Sequence, residues 1–132
     1  MRAMVMGIGL AMTAASALAA PGDPVAGAKA WAGLLDHGQY AQSWNEAGSL
    51  FRSQISRARW ARMATGVRGP LGPVISRTFT SIQRSTSMPG APDGSYAKVQ
   101  FATVFAHKRQ AAETVVLVES PSGWRVDGYF IR

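Results

Sequence analysis

The chain has no cysteine, so it forms no disulfide, carries no thiol nucleophile and offers no cysteine for lipid attachment. A chain without disulfides must be held together by its hydrophobic core. Histidine is nearly absent too. His37 and His107 stand seventy residues apart, and neither falls in an HxxxH or HExxH pattern. A dedicated zinc site is therefore not expected, and no cofactor is implied. No GxSxG elbow is present for a nucleophilic serine. The glycines of "GPLGP" and "PGAPDG" sit beside prolines, which lack the backbone N–H donors that a phosphate cradle uses. Acidic residues are few, 7 against 14 basic ones, for a formal charge of +7.

A long hydrophobic run is also missing. The one apolar stretch, Met4 to Met12, is too short to span about 30 Å of hydrocarbon. It lies in "MRAMVMGIGLAMTAASALAAPG", with Arg2 as a positive start and Ala17-Leu18-Ala19 as a small-x-small cleavage signal. Cleavage after Ala19 is expected, because a cut after Ala20 would put Pro21 at the disfavoured first position. Residues 1–19 are thus read as a signal peptide of bacterial style, and residues 20–132 as a single α+β domain. The expected location is periplasmic or secreted, with no transmembrane segment after cleavage.

What is present begins with a helix signal. Asp23-Pro24 supplies an N-cap and a first-turn proline. Ala28, Trp31 and Leu35 recur at helical spacing, and Gly38 can close the helix in the left-handed conformation. Tyr40, Trp44, Ala47 and Phe51 form a second apolar stripe, read as one helix. Asp36 and His37, in the last turn before the Gly38 cap, read as solvated. Ser56 can cap a third helix with Trp60, Met63, Ala64 and Val67 on one face. Arg57 and Arg68 fall at one edge of that face and Arg59 and Arg62 on the far side, the pattern of a solvated exterior. That division argues against nucleic acid, although the net charge alone would permit it. Eleven of the 14 basic residues are arginine.

"GPLGP" at 69–73 ends the helical part. Strands are expected in "VISRTFTSIQRSTS", "SYAKVQFATVFA", "AAETVVLVE" and "WRVDGYFIR", with "MPGAPDG", "HKRQ" and "SPSG" as turns. Such short connections predict an antiparallel meander. The expected fold class is therefore α+β, with three N-terminal helices packed on a curved four-stranded antiparallel sheet.

The segments "WAGLLDHGQYAQSWNEAGSLF", "GPLGPVISRTF", "PGAPDGSYAKVQF", Phe105 with Lys108 and Ala112-Glu113-Thr114, and "WRVDGYFIR" resemble the domain of unknown function 4019 family. The resemblance covers nearly the whole of residues 20–132. It implies a small exported bacterial protein and a fold similar to the nuclear transport factor 2-like, cystatin-like cone. It implies no established activity.

A cone of that kind would leave a cavity at its open end, so ionisable residues on inward faces are the site candidates. Arg77 lies between Ile75 and Phe79 at period two, and Glu113 shares a face with Val115 and Leu117. The two are expected to meet across the sheet. In the last strand Trp124, Val126 and Phe130 share one face, leaving Asp127 and Tyr129 opposite unless a bulge at Gly128 intervenes. The candidate ligand-binding set is Tyr40, Trp44, Arg77, Tyr96 and Glu113, with no catalytic residue assigned. The function expected is non-catalytic binding of a small apolar or amphipathic ligand, or of an envelope protein partner, at the open end. Homodimerisation through the sheet is a further expectation. Two alternatives stand beside it. One is a cavity hydrolase or isomerase-like enzyme using Glu113 with Tyr40 or Tyr96, which requires Glu113 to face water with no neutralising arginine. The other is adhesion to an anionic envelope polymer through surface arginines.

Overall fold

The computed structural model describes residues 22–132. The expected signal peptide, residues 1–19, and its cleavage site lie outside the described residues. Among the described residues four helices, α1 (Pro24–Asp36), α2 (Tyr40–Asn45), α3 (Ser49–Gln54) and α4 (Arg57–Leu71), precede four strands. These are β1 (Val74–Ser85), β2 (Tyr96–Phe105), β3 (Lys108–Ser120) and β4 (Gly123–Ile131). The strands form one antiparallel sheet in the order β1-β2-β3-β4. The α+β class and the meander are as the sequence predicts.

The helix ends follow local chemistry. The Asp23 carboxylate accepts hydrogen bonds from the Val25 and Ala26 N–H groups at 2.9 and 3.3 Å, with Pro24 in the first turn. Gly38, at φ 73°, turns the chain after α1. Ser56 caps α4 through the Arg59 N–H at 3.2 Å.

Two boundaries correct the sequence reading. The stripe Tyr40, Trp44, Ala47, Phe51 belongs to two short helices rather than one, broken at Glu46 to Gly48. The break exists because the chain leaves helical geometry to dock on β4. The Gly48 N–H donates to the Val126 carbonyl at 2.7 Å, and a Cβ at Gly48 would lie 2.3 Å from an Asp127 carboxylate oxygen. The stripe survives the break, since Ala47 and Phe51 are buried and Tyr40 and Trp44 pack against the core. Helix α4, in turn, continues through Gly69-Pro70 to Leu71. Pro70 falls in the last turn, where one forgone hydrogen bond is tolerable.

Strands β2 and β3 alternate buried and less buried positions, so one sheet face receives the helices. Val99, Phe101, Val115, Leu117 and Val126 meet Trp31, Leu35, Phe51 and Trp60 in a single core. At its centre Ser43 is fully buried, its carbonyl accepting from the Trp31 indole and its hydroxyl from the Trp60 indole, both at 2.9 Å. The turn placed at "HKRQ" is tighter than expected, because Lys108 already pairs with Phe105.

In β4 the pairing shifts between Val116–Gly128 and Leu117–Val126, leaving Asp127 as the extra residue. The bulge expected as a condition at Gly128 thus exists at Asp127. It reverses the faces that follow: Tyr129 pairs with inward-facing Val115, and Phe130 pairs with Thr114 on the other face and is 60% exposed.

Candidate functional site

The C-terminal end of α1, the last turn of α4 and all four strands of the sheet bring six polar side chains together. Glu113, on the inward face of β3, has no exposed surface. Its carboxylate accepts from Arg77 Nε at 2.7 Å and Nη2 at 3.2 Å, from the Thr103 hydroxyl at 2.5 Å, and from the Tyr129 hydroxyl. The opposite edge of the same guanidinium donates to Asp36, Nη1 at 2.8 Å and Nη2 at 3.0 Å. Arg68 joins from α4, donating from Nη2 to Asp36 Oδ1 at 2.6 Å. Arg77 is therefore a planar bridge between two carboxylates, each gripped in the two-pronged geometry that guanidinium favours.

This geometry fixes the charge states. Burial by itself raises the Glu113 carboxyl, but hydrogen bonds from Arg77, Thr103 and Tyr129 and the Arg77 charge outweigh it, so the group is held below its ordinary value. Asp36 is likewise lowered on balance, with burial overcome by the bonds from Arg77 and Arg68. Burial and the neighbouring Glu113 charge push the Tyr129 phenol well above its ordinary range, which keeps it a donor. Asp127 goes the other way: burial raises it, partly offset by the Phe51 N–H. A carboxylate that already accepts four hydrogen bonds and sees no water does not shuttle protons. Glu113 and Asp36 are anchors for arginine.

A cavity of about 270 Å³ opens beside this network, between α4 and the end of β4. Leu35 and Trp60 line it and are buried, while its apolar lining residues Met63, Val67 and Phe130 are 51%, 49% and 60% exposed. Arg68 and Tyr129 are the polar side chains of its wall. The row Trp60, Ala64, Arg68 explains the placement: three residues four apart share one helix face, and all three are buried.

The sequence-predicted residues scatter relative to this cavity. Arg77 and Glu113 meet as expected. Tyr40 and Trp44 lie on α2 against the core, the Trp44 indole donating to the Ile55 carbonyl at 2.8 Å. Tyr96 is buried beside Val118, its hydroxyl donating to the Pro92 carbonyl. None of the five candidates lines the cavity between α4 and β4. Two expectations are corrected. Arg68, read as solvated, is 5% exposed, because the four-residue row carries it inward. Asp36, also read as solvated, is drawn into the network by two arginines. The condition set for a Glu113-based enzyme is not met, since Glu113 is buried and paired with Arg77. Arg68, Asp36, Thr103 and Tyr129 were missed. The spacing 60, 64, 68 was the available signal for the first, and the bulge for the last.

Among the described residues no group of three His, Asp or Glu side chains could hold a metal ion, and no helix is long and apolar enough to cross a membrane. No curated protein matches the chain. The model of the family described as a protein of unknown function (DUF4019) matches residues 27–129, a span that holds the four strands' paired core, the arginine–carboxylate network and most of the cavity wall, and the chain belongs to that family.

Proposed function

We propose that this domain binds a small amphipathic ligand, without chemistry on it, in the cavity between α4 and β4. The observation that carries the reading is the concentration of half-exposed apolar side chains, Met63, Val67 and Phe130, around a concave space rather than across a flat face. Scattered exposed apolar residues need no explanation, but three around one hollow are the usual lining of a ligand site. The size, about 270 Å³, favours a small molecule over a polypeptide segment. The reading takes the fold as similar to the nuclear transport factor 2-like cone with this cavity at its open end. It also takes the protein as exported, on the strength of residues 1–19. The network beside the cavity argues for a scaffold and against catalysis, because both of its carboxylates are saturated by arginine.

The neutral dye N-phenyl-1-naphthylamine tests the reading. Its fluorescence should rise on addition of the protein and saturate. Val67→Trp, at a half-exposed helix position of the cavity wall, should fill the space and weaken binding by about tenfold or more. The denaturation midpoint should stay near that of the parent. Dye binding unchanged in Val67→Trp would place the site elsewhere and end the proposal.

A further inference from the structure

We infer that the ligand of this cavity is a monoanionic amphiphile whose carboxylate is received by Arg68. The inference rests on the binding reading above and adds the head group. Its basis is an imbalance in the network. Arg68 is buried, its side chain retaining 4% exposure, and it spends one donor on Asp36. Its Nε and Nη1 are closed off from solvent and have no hydrogen-bond partner. A buried charged group with idle donors is costly, so such a group calls for a partner.

No partner is spare within the network. Glu113 is fully committed to Arg77, Thr103 and Tyr129. Asp36 takes two bonds from Arg77 and one from Arg68, so both of its oxygens are already engaged. Two arginines thus face two carboxylates, yet Arg77 uses both of them and Arg68 shares an edge of one. The Phe105 ring, 5.0 Å from the Arg68 guanidinium carbon, contributes cation–π attraction but no acceptor oxygen. Arg68 lines the cavity, so an acceptor bound there stands beside the idle donors.

The chemistry of that partner follows. The two arginines and two carboxylates already balance in charge while Arg68 keeps idle donors, so a singly charged acceptor, a carboxylate, fits at lower electrostatic cost than a doubly charged phosphate monoester. The remaining cavity wall is apolar at Met63, Val67 and Phe130, which fits an alkyl or aryl tail. Seating the head group includes a small turn of the unbranched Arg68 side chain toward the cavity, since its idle nitrogens now lie beneath the wall. A neutral alcohol would bury the same tail and leave the idle donors unmet. A cationic amphiphile would meet like charge.

The test compares sodium decanoate, decan-1-ol and decyltrimethylammonium, each below its micellar concentration, as displacers of N-phenyl-1-naphthylamine from the full domain. Decanoate should bind at least about tenfold more tightly than decanol, and the cation most weakly. Arg68→Met should erase the difference between decanoate and decanol, and Arg68→Lys should restore part of it. Decanol binding as well as decanoate in the parent protein would overturn the head-group inference and leave the cavity reading standing. Persistence of the decanoate preference in Arg68→Met would overturn the assignment to Arg68. Failure of the dye and all three amphiphiles to bind would overturn both. Should Arg68→Met not fold, the ranking of the three amphiphiles on the parent protein still decides the head group.

Discussion

Arg77 touches both carboxylates of the network, whereas each carboxylate touches only part of the rest, and that asymmetry orders the mutational costs. Glu113→Ala removes one partner of Arg77 and leaves Asp36 in place. Arg77→Ala strips buried Glu113 and half-buried Asp36 of their principal donor at once, and breaking a buried pair from one side typically costs about 3–5 kcal/mol. Arg77→Ala should therefore be the worse of the two in urea denaturation. The double variant should lose less than the sum, because with Arg77 gone Glu113 is an uncompensated charge whose removal brings relief. Strictly additive losses would mean that the two side chains do not meet. This pair was legible in the sequence through strand alternation, Arg77 with Phe79 and Glu113 with Val115 and Leu117, although Ile75, expected on the same inward face, lies at a register shift and is 65% exposed. Asp36 was not legible, since nothing at the end of a helix distinguishes a solvated acid from one facing two arginines brought from 32 and 41 residues away.

The break between α2 and α3 is where element-level reasoning went astray. A helical stripe of Tyr40, Trp44, Ala47 and Phe51 fits one helix as well as two, because periodicity records which side is buried and not whether the hydrogen bonds continue. What interrupts them is a tertiary contact, Gly48 against Val126 and Asp127, and Gly48 itself has an ordinary φ of −72°. Its glycine is thus needed for space and not for backbone freedom. Gly48→Ala should cost about 1–3 kcal/mol through overpacking against the bulge, read as a lower thermal midpoint. Adding Asp127→Ala should recover part of that loss, because the nearest clash is with that carboxylate. If the second substitution recovers nothing, the backbone of Val126, 3.3 Å from the added carbon, sets the cost. The bulge has the same character. It was foreseeable as a possibility beside Gly128, but only the register against β3 decides it, and with it whether Tyr129 points at Glu113 or at solvent.

At the scale of the whole molecule, caps, turns and strand alternation each depend on near neighbours, and those parts of the fold were readable. The site was not, because it is assembled from α1, α4, β1, β2, β3 and β4, and its distinguishing member, Arg68, looks like any surface arginine until the helix is rotated into place. The same assembly gives the protein a directed response to acid. Asp36 and Glu113 have folded-state values below their unfolded ones near 4. Their contribution is fully present above about pH 5 and is lost as pH falls through the unfolded values toward the folded ones. Asp127 has the opposite sign: its raised value means that protonation in the folded state offsets part of that loss. Urea midpoints measured from pH 6 to pH 3 should therefore fall. The fall should be shallower for Glu113→Gln, which has one fewer carboxylate to protonate, and steeper for Asp127→Asn, which lacks the offset. On the alkaline side the raised Tyr129 adds stability that is present below about pH 10 and lost only as pH rises toward its folded value, so Tyr129→Phe should not alter the acid limb. An acid limb unchanged by Glu113→Gln would mean that Glu113 is neutral in the folded protein, and the ion-pair description of the network would fail with it.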